Sequence, residues 1–424
     1  MDLVLTNGPA SNRFNIAILS EGYTSSQLAD FRGHATNAIN TLLSRPPFSE
    51  YRSYFNAFAI SVASAQSGSD HPGSGIYRDT YFNTTFSSNE TLIAYPTNSQ
   101  GQGKVDALIQ TFLPECDLTV LLVNDTVSGG SDGSKKTAIA SIGFMAGEFM
   151  VHEIGHVMAG LGDEYETPFP GFSGVGEPNT TRETDRNAIK WKAWIAPGTP
   201  VPTPETSDYA GVTGLFEGAH YNATGWFRPR LDCAMRSSFV PFCEVCSEAL
   251  VLALYQRLRP IEAWTPTNLV LSWPNEAAAN FRVNLQTPTS HSLSVQWITN
   301  GVEVAGATGS TFSIAPSALG SGARNVTVRV KDQTPLVRND PSGYLTQTVT
   351  WKELRLISPT ILAGGKFAFR VVGDDDQPAA VQSSADLVSW RSIATNVFAA
   401  GNDWFTNSTA GNPLRFYRVA MPPR

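Results

Sequence analysis

The sequence predicts an α/β amino-terminal domain over residues 1–262, followed by two all-β, sandwich-like modules over 263–352 and 353–424. Three observations carry that division. Up to about residue 260, apolar strand-like runs alternate with segments whose apolar residues recur every three or four positions, the pattern of a sheet built on helical crossovers. From Asn268 onward the helical period disappears, and short strand-like runs follow one another with turn signals between them. At 424 residues, the chain is also too long for one ordinary core.

In chain order, residues 13–19 read as a strand with Phe14, Ile16 and Ile18 alternating. A helix follows from Ser25, whose hydroxyl can cap it, to Leu43, with Leu28, Phe31, Ala35, Ile39 and Leu42 on its apolar face. Residues 58–62 give the next strand and 105–112 a short helix. The nearly continuous apolar run 116–123 fits a strand covered on both faces. Residues 137–142 form a strand that leads into a further helix. The Gly-, Ser- and Asp-rich stretch 125–136, with Gly129-Gly130-Ser131-Asp132-Gly133, reads as a flexible turn. A structural calcium loop is its alternative, although the carboxylates do not follow a known ligand spacing.

After Tyr165 the chain is irregular for about 65 residues, and a loop of that length in a compact domain is usually functional. It carries Trp191, Trp194, Tyr209, Phe216, Tyr221, Trp226 and Phe227. Residues 243–258 then read as a helix. Strand-like runs follow at 269–273, 281–285, 293–298, 310–314, 325–330 and 345–351, with the hairpin signal Asn300-Gly301 between two of them. The last module has strands at 366–372 and 416–420. These modules hold no cysteine and one histidine, His291, so they read as binding or spacing units, with a glycan or protein surface as the expected ligand.

Composition excludes several function classes. The chain is 42% hydrophobic and 16% charged, and its 30 basic and 37 acidic residues give a net charge of −7. With no long basic run, nucleic acid is not an expected partner, and nothing suggests docking on an anionic membrane. No apolar run approaches the roughly 18 residues of a membrane span. Met1-Asp2-Leu3-Val4 lacks a basic and apolar leader, which fits a secreted protein whose signal peptide has been removed ahead of it.

The chemistry concentrates in Val151-His152-Glu153-Ile154-Gly155-His156-Val157-Met158-Ala159-Gly160-Leu161-Gly162-Asp163-Glu164-Tyr165. On a helix, residues four apart share a face, so His152 and His156 can bind one zinc ion through neutral ring nitrogens. Glu153 can take a proton from a zinc-bound water. Gly160 and Gly162 then allow the turn that brings a carboxylate back as third ligand. Asp163 is the expected ligand and Glu164 its competitor. A chance pattern on a solvated helix is the bland alternative. Against it, Phe144, Phe149, Met150, Ile154, Val157, Met158 and Leu161 make the helix apolar, and a buried histidine pair needs a partner.

Of four cysteines, Cys233, Cys243 and Cys246 cluster and Cys116 stands apart. A zinc ribbon needs a second cysteine pair at matching spacing, which is missing. The expectation is a disulfide closing the loop from Cys233 to Cys243 or Cys246, with reduced core thiols as the alternative.

The zinc helix and its turn resemble the IgA peptidase family of zinc metallopeptidases. The likeness continues at Asn179-Thr180-Thr181, Lys190-Trp191, Phe216-Glu217-Gly218-Ala219, Cys233-Ala234-Met235 and Pro241-Phe242-Cys243-Glu244-Val245-Cys246. Nearer the start it includes Glu21-Gly22-Tyr23-Thr24 and Pro46-Pro47-Phe48, so it spans about residues 8–258. The last module, with Asp386-Leu387 before Trp390 and Arg415-Phe416-Tyr417-Arg418 near the end, looks like a small module of secreted bacterial proteins. The main resemblance implies a zincin-like, metzincin-like fold with an upper α/β half and an irregular lower half. Met235 looks like the methionine that floors the metal in such folds. In zinc proteases the strand before the helix, here 137–142, commonly forms the cleft edge that pairs with an extended peptide.

Two departures from the metzincin pattern stand out. The position six residues after the second histidine is Gly162, so Asp163 lies one place later than the usual ligand. Two residues after Met235 stands Ser237 rather than a tyrosine, which leaves Tyr221, His220 and Arg236 as candidate transition-state donors. The implied function is cleavage of a protein or peptide by a zinc-activated water with Glu153 as base. The competing class is a binding or adhesion protein with a degenerate metal domain.

Overall fold

A computed structural model describes residues 1–133, 136–169, 172, 176–271, 273, 277–320, 324–373, 378–397, 402–408 and 414–420. The chain divides into two compact units. The first holds Met1–Arg259 with two later segments, Thr287–Ser292 and Thr334–Leu345. Leu336, Val337, Tyr344 and Leu345 from the last segment join its core. The second holds Pro260–Gln286, Leu293–Gln333 and Thr346–Arg424.

The first unit is built on a six-stranded sheet of β1 (Asp2–Leu5), β2 (Phe14–Glu21), β3 (Phe55–Ile60), β6 (Leu118–Val123), β7 (Gly130–Asp132) and β8 (Thr137–Ser141), in the order β1-β3-β2-β6-β8-β7. A two-stranded ribbon, β4 (Thr85–Phe86) with β5 (Ile93–Ala94), lies between β3 and β6 in the chain. The four central strands run parallel and the two edge strands antiparallel to them. Alternate residues face opposite sides of a sheet. Ile16, Ile18, Leu118, Val120 and Leu122 therefore join one core with residues of helices α1 (Leu28–Leu42), α3 (Ala146–Ala159) and α4 (Glu244–Arg257). Ala17, Leu19, Leu121, Val123 and Ile139 join the other, with Phe82, Phe86 and Val105 of α2 (Gln102–Phe112). Every residue of β2 and β6 is buried, as expected for strands covered on both faces.

Three local features differ from the sequence expectation. Thr24, rather than Ser25, closes the capping box with Gln27, and a 3-10 turn precedes α1. Strand 137–142 exists as β8 but is not the sheet edge, because β7 adds beyond it with Gly130 opposite Ala140 and Asp132 opposite Ala138. The stretch read as a flexible turn supplies this strand. Gly130 permits it: a Cβ there would sit 3.0 Å from Ile139 O and 3.4 Å from Glu153 Cγ, so β7 lies close on α3. Of the segment 125–136, residues 134 and 135 lie outside those described. Among the described residues, the irregular half after α3 contains one hairpin, β9 (Phe216–Ala219) with β10 (Asn222–Arg228).

The second unit is all-β. Sheets β11 (Ile261–Thr265), β13 (Ala279–Leu285), β16 (Thr311–Ile314) and β12 (Val270–Leu271), β18 (Thr346–Glu353), β17 (Asn325–Lys331), β14 (Ser294–Thr299), β15 (Val302–Glu303) share one core. Its centre is Phe281, Trp297 and Trp351, the two indoles stacked at 5.8 Å. Asn300 and Gly301, at φ of 48° and 81°, turn β14 into β15. In the predicted run 269–273, the strand covers Val270–Leu271 and residue 272 lies outside those described. A separate core of Phe369, Val371, Val381 and Tyr417 joins strands that include Lys366–Val372 and Phe416–Ala420. Among the described residues, no helix is long and apolar enough to cross a membrane.

Candidate metal centre

The site begins with α3, which buries Met150, Val151 and Ile154 and so points His152 and His156 to the side. Gly160 ends the helix at a φ of 63°, and Leu161 N–H turns back to Gly155 O at 3.3 Å. Asn179 grips the next residue on both sides: its Oδ1 accepts from Gly162 N at 2.7 Å, and its Nδ2 donates to Gly162 O at 2.8 Å. That clamp places Asp163 over the histidines and absorbs the extra residue of the turn.

Three ligand atoms converge there. His152 Nε2 lies 3.0 Å from His156 Nε2 and 3.0 Å from Asp163 Oδ1, and His156 Nε2 is 3.4 Å from the same oxygen. Each imidazole donates its other ring proton to a backbone carbonyl, His152 Nδ1 to Ala234 O at 2.9 Å and His156 Nδ1 to Leu161 O at 2.6 Å. Those bonds fix Nδ1 as the donor of each ring, so that Nε2, once it gives up its own proton, turns a lone pair inward, the arrangement of metal-bound histidines. Asp163 is 5% exposed; its Oδ2 accepts the Tyr221 hydroxyl, whereas buried Oδ1 has no hydrogen-bond partner. A two-histidine, one-carboxylate set with an orphaned oxygen at its centre fits a divalent cation of the zinc class.

The electrostatics agree. Burial opposes ionisation of Asp163, yet the two imidazoles set against its Oδ1 hold the carboxyl well below the usual range. Burial likewise disfavours charge on His156, but Asp163 and Glu153 outweigh it and push the imidazole up to about 10. Glu153 lines the adjoining cleft with His152, Tyr165 and Arg236. Burial raises it to about 7, against the downward pull of the two histidines. Asp132, also raised by burial, adds its charge to the same neighbourhood from the edge strand.

Of the other residues singled out in the sequence, Met235 is fully buried beneath the helix. A Cβ on Gly155 would lie 2.8 Å from its sulfur, so the small residue between the histidines is what lets the methionine approach. Glu164 is directed elsewhere. Its carboxylate meets Asn179 Nδ2 and Cys246 Sγ, and its N–H donates to Met235 O at 2.9 Å. Tyr221 is engaged with Asp163, and His220 stacks on Trp226 at 3.8 Å with Glu177 3.5 Å away. Arg236 lines the cleft while donating to Glu164 O and Glu166 Oε1.

Tyr165 had no role assigned from the sequence; its ring stacks on His152 at 6.4 Å and meets Tyr221 edge-on at 5.4 Å. Position beside the acidic pair was its one signal. The clamp by Asn179 and the carbonyl of Ala234 left no signal of spacing at all. The expected disulfide is not formed: all four cysteines are free, with Cys233 Sγ and Cys246 Sγ 3.6 Å apart and gathered on Glu164 with Cys243. Asp125, proposed with its loop as a calcium alternative, is engaged by His71 Nε2 and by Val127 N–H. Among the described residues, the two groups able to hold a metal ion are His152–His156–Asp163 and Glu164–Cys233–Cys243–Cys246.

A profile of the IgA Peptidase M64 family matches residues 3–210 and 205–254, more than half of the chain. No curated protein matches it. Among solved structures, the apo β-glucuronidase 3 of Bacteroides uniformis aligns at 11% identity over 47% of this chain and 27% of its own, with a TM-score of 0.14. A β-glucuronidase of Parabacteroides merdae aligns at 9% identity over 47% of this chain and 28% of its own, at 0.15. The chain thus spans little more than a quarter of these enzymes, and TM-scores so low bear on neither fold nor function.

Proposed function

The chain belongs to the IgA peptidase M64 family, and from that premise we propose that it is a secreted, zinc-dependent endopeptidase. The observation that carries the reading is the convergence of His152 Nε2, His156 Nε2 and Asp163 Oδ1 beside Glu153 on the wall of a cleft. Zinc, when bound by these three residues, would supply Lewis acidity and a water of lowered pKa.

The chain's own residues supply the remainder. Glu153 takes a proton from the attacking water and returns it to the leaving amine; a carboxyl raised by burial to about 7 suits both transfers near neutral pH. Tyr221 holds Asp163 Oδ2 and so keeps Oδ1 directed at the histidines. Arg236 is the candidate donor that lines the cleft with Glu153. Substrate backbone would run along the sheet edge. Part of that edge is taken, since Gly130 N–H donates to Thr91 O at 3.2 Å, and Thr91 and Leu92 stand in the cleft with Gly130. An extended peptide would therefore lie along 91–92 and β7 together.

The reading of a binding protein with an idle metal domain has no observation in its favour, and the placement of Glu153 speaks against it. The test is a Glu153→Gln variant assayed on a peptide library, with bound zinc measured alongside. Retained zinc with lost cleavage supports the proposal; unchanged cleavage removes Glu153 from it.

A further inference from the structure

A second set of metal-ligating side chains lies just past the turn that carries Asp163. Glu164, Cys233, Cys243 and Cys246 each offer one ligand atom within 4.8 Å of the others. All four are buried, and three have no exposed surface. Cys233 Sγ and Cys246 Sγ are 3.6 Å apart, and Cys246 Sγ is 3.2 Å from Glu164 Oε1. In a tetrahedral zinc site with bonds of about 2.3 Å to sulfur, two thiolates stand about 3.8 Å apart. In a disulfide the sulfurs are about 2.05 Å apart. The observed spacing excludes the second arrangement and is that of the first, or of two thiols in contact.

The carboxylate gives an independent observation. Glu164 Oε1 accepts from Asn179 Nδ2 at 2.8 Å, whereas Oε2 is buried with no hydrogen-bond partner. A carboxylate oxygen in that position is costly unless a cation or a donor meets it.

We propose that Glu164, Cys233, Cys243 and Cys246 form a second metal site that takes one zinc ion in a closed, structural shell. Thiolates draw zinc, Cu(I) and iron–sulfur clusters, and a carboxylate fourth ligand favours zinc among these. Four protein ligands leave no position for water, which separates a structural site from a catalytic one. Binding exchanges the thiol protons, released to solvent, for the ion, and no electron is transferred. The site's place in the fold gives it a consequence. Glu164 directly follows Asp163, its N–H donates to Met235 O, and Cys233 stands two residues before Met235. The ion thus ties the strand of chain bearing the third catalytic ligand to the loop beneath the catalytic helix. The inference uses none of His152, Glu153 or His156 and stands without the peptidase reading.

The test measures zinc per chain by elemental mass spectrometry, together with zinc-edge X-ray absorption, on the full chain and on a His152→Ala, His156→Ala double variant. The expected result is two zinc ions in the native chain and one in the variant, with zinc–sulfur scattering at about 2.3 Å in both. One ion in the native chain, none in the variant and a shell without sulfur overturns the proposal. So does a non-reduced intact mass two hydrogens lighter than the thiol form. Cys246→Ser should lose the sulfur-bound ion. If that variant does not fold, the absorption spectrum of the native chain decides alone. Sulfur-bound zinc in a chain that cleaves nothing upholds this site and removes the peptidase reading.

Discussion

At the scale of single residues, the candidate site separates the side chains that could hold a metal from the groups that aim them. His152, Glu153 and His156 were legible because their relation is local: four residues on a helix define a face whatever surrounds it. Asp163 stood in the sequence as one of a pair; in the structure it faces the histidines while Glu164 is turned to Asn179, whose clamp no spacing reveals. Two outcomes follow. Glu153→Gln should keep its zinc and lose about 10²–10⁴-fold in kcat, read by metal analysis and peptide cleavage. Zinc affinity should fall as pH falls. With Asp163 beside it, His156 holds its proton up to about pH 10, so below that pH a proton competes for the same nitrogen and must leave when metal binds. Competition titration with a chelator between pH 8 and 6 reads the slope, and a flat profile contradicts the assignment of His156.

At the scale of elements, α3 is held between the edge strand above and the Met235 loop below. Gly130 and Gly155 are points of close approach, where a Cβ would meet Phe149 and Glu153 of α3 in the one case and Met235 in the other. Gly155→Ala would force its Cβ to within 2.8 Å of Met235 Sδ. Overpacking of this kind costs about 1–3 kcal/mol, visible as a lower Tm with weakened zinc binding. An unchanged melt would mean that the methionine is free to move aside. Asn179→Ala should leave Gly162 and Glu164 with unmet polar groups and weaken zinc about 10–100-fold, as loss of a ligand-orienting group does elsewhere. The strand and helix periodicities anticipated these elements well. The edge strand escaped because three residues rich in Gly, Ser and Asp carry a turn's composition. They are extended only because β8 and α3 hold them there. The cysteines misled for a similar reason: their spacing suits a disulfide, and the carboxylate that gathers them lies far upstream at Glu164.

At the scale of the whole chain, composition and length predicted several domains, and the change of period near residue 260 marked the passage to all-β structure. What could not be read is that the chain returns to the first unit at Thr287–Ser292 and Thr334–Leu345. A chain ended at residue 262 would lose Leu336, Val337, Tyr344 and Leu345 from the first core. Such a truncation should melt lower and express poorly, whereas one ended at 353 should keep full zinc content and cleavage of soluble peptides. Equal stability of the two would show that the returning segments contribute nothing.

The most direct test of the central claim measures cleavage and bound metal on the same preparations of the native chain, the Glu153→Gln variant and a His156→Ala variant. The account predicts cleavage that a chelator abolishes and zinc restores, a Glu153→Gln chain that binds zinc without cutting, and a His156→Ala chain that loses the zinc held beside Glu153. Cleavage that persists in Glu153→Gln, or in native protein stripped of metal, would contradict it.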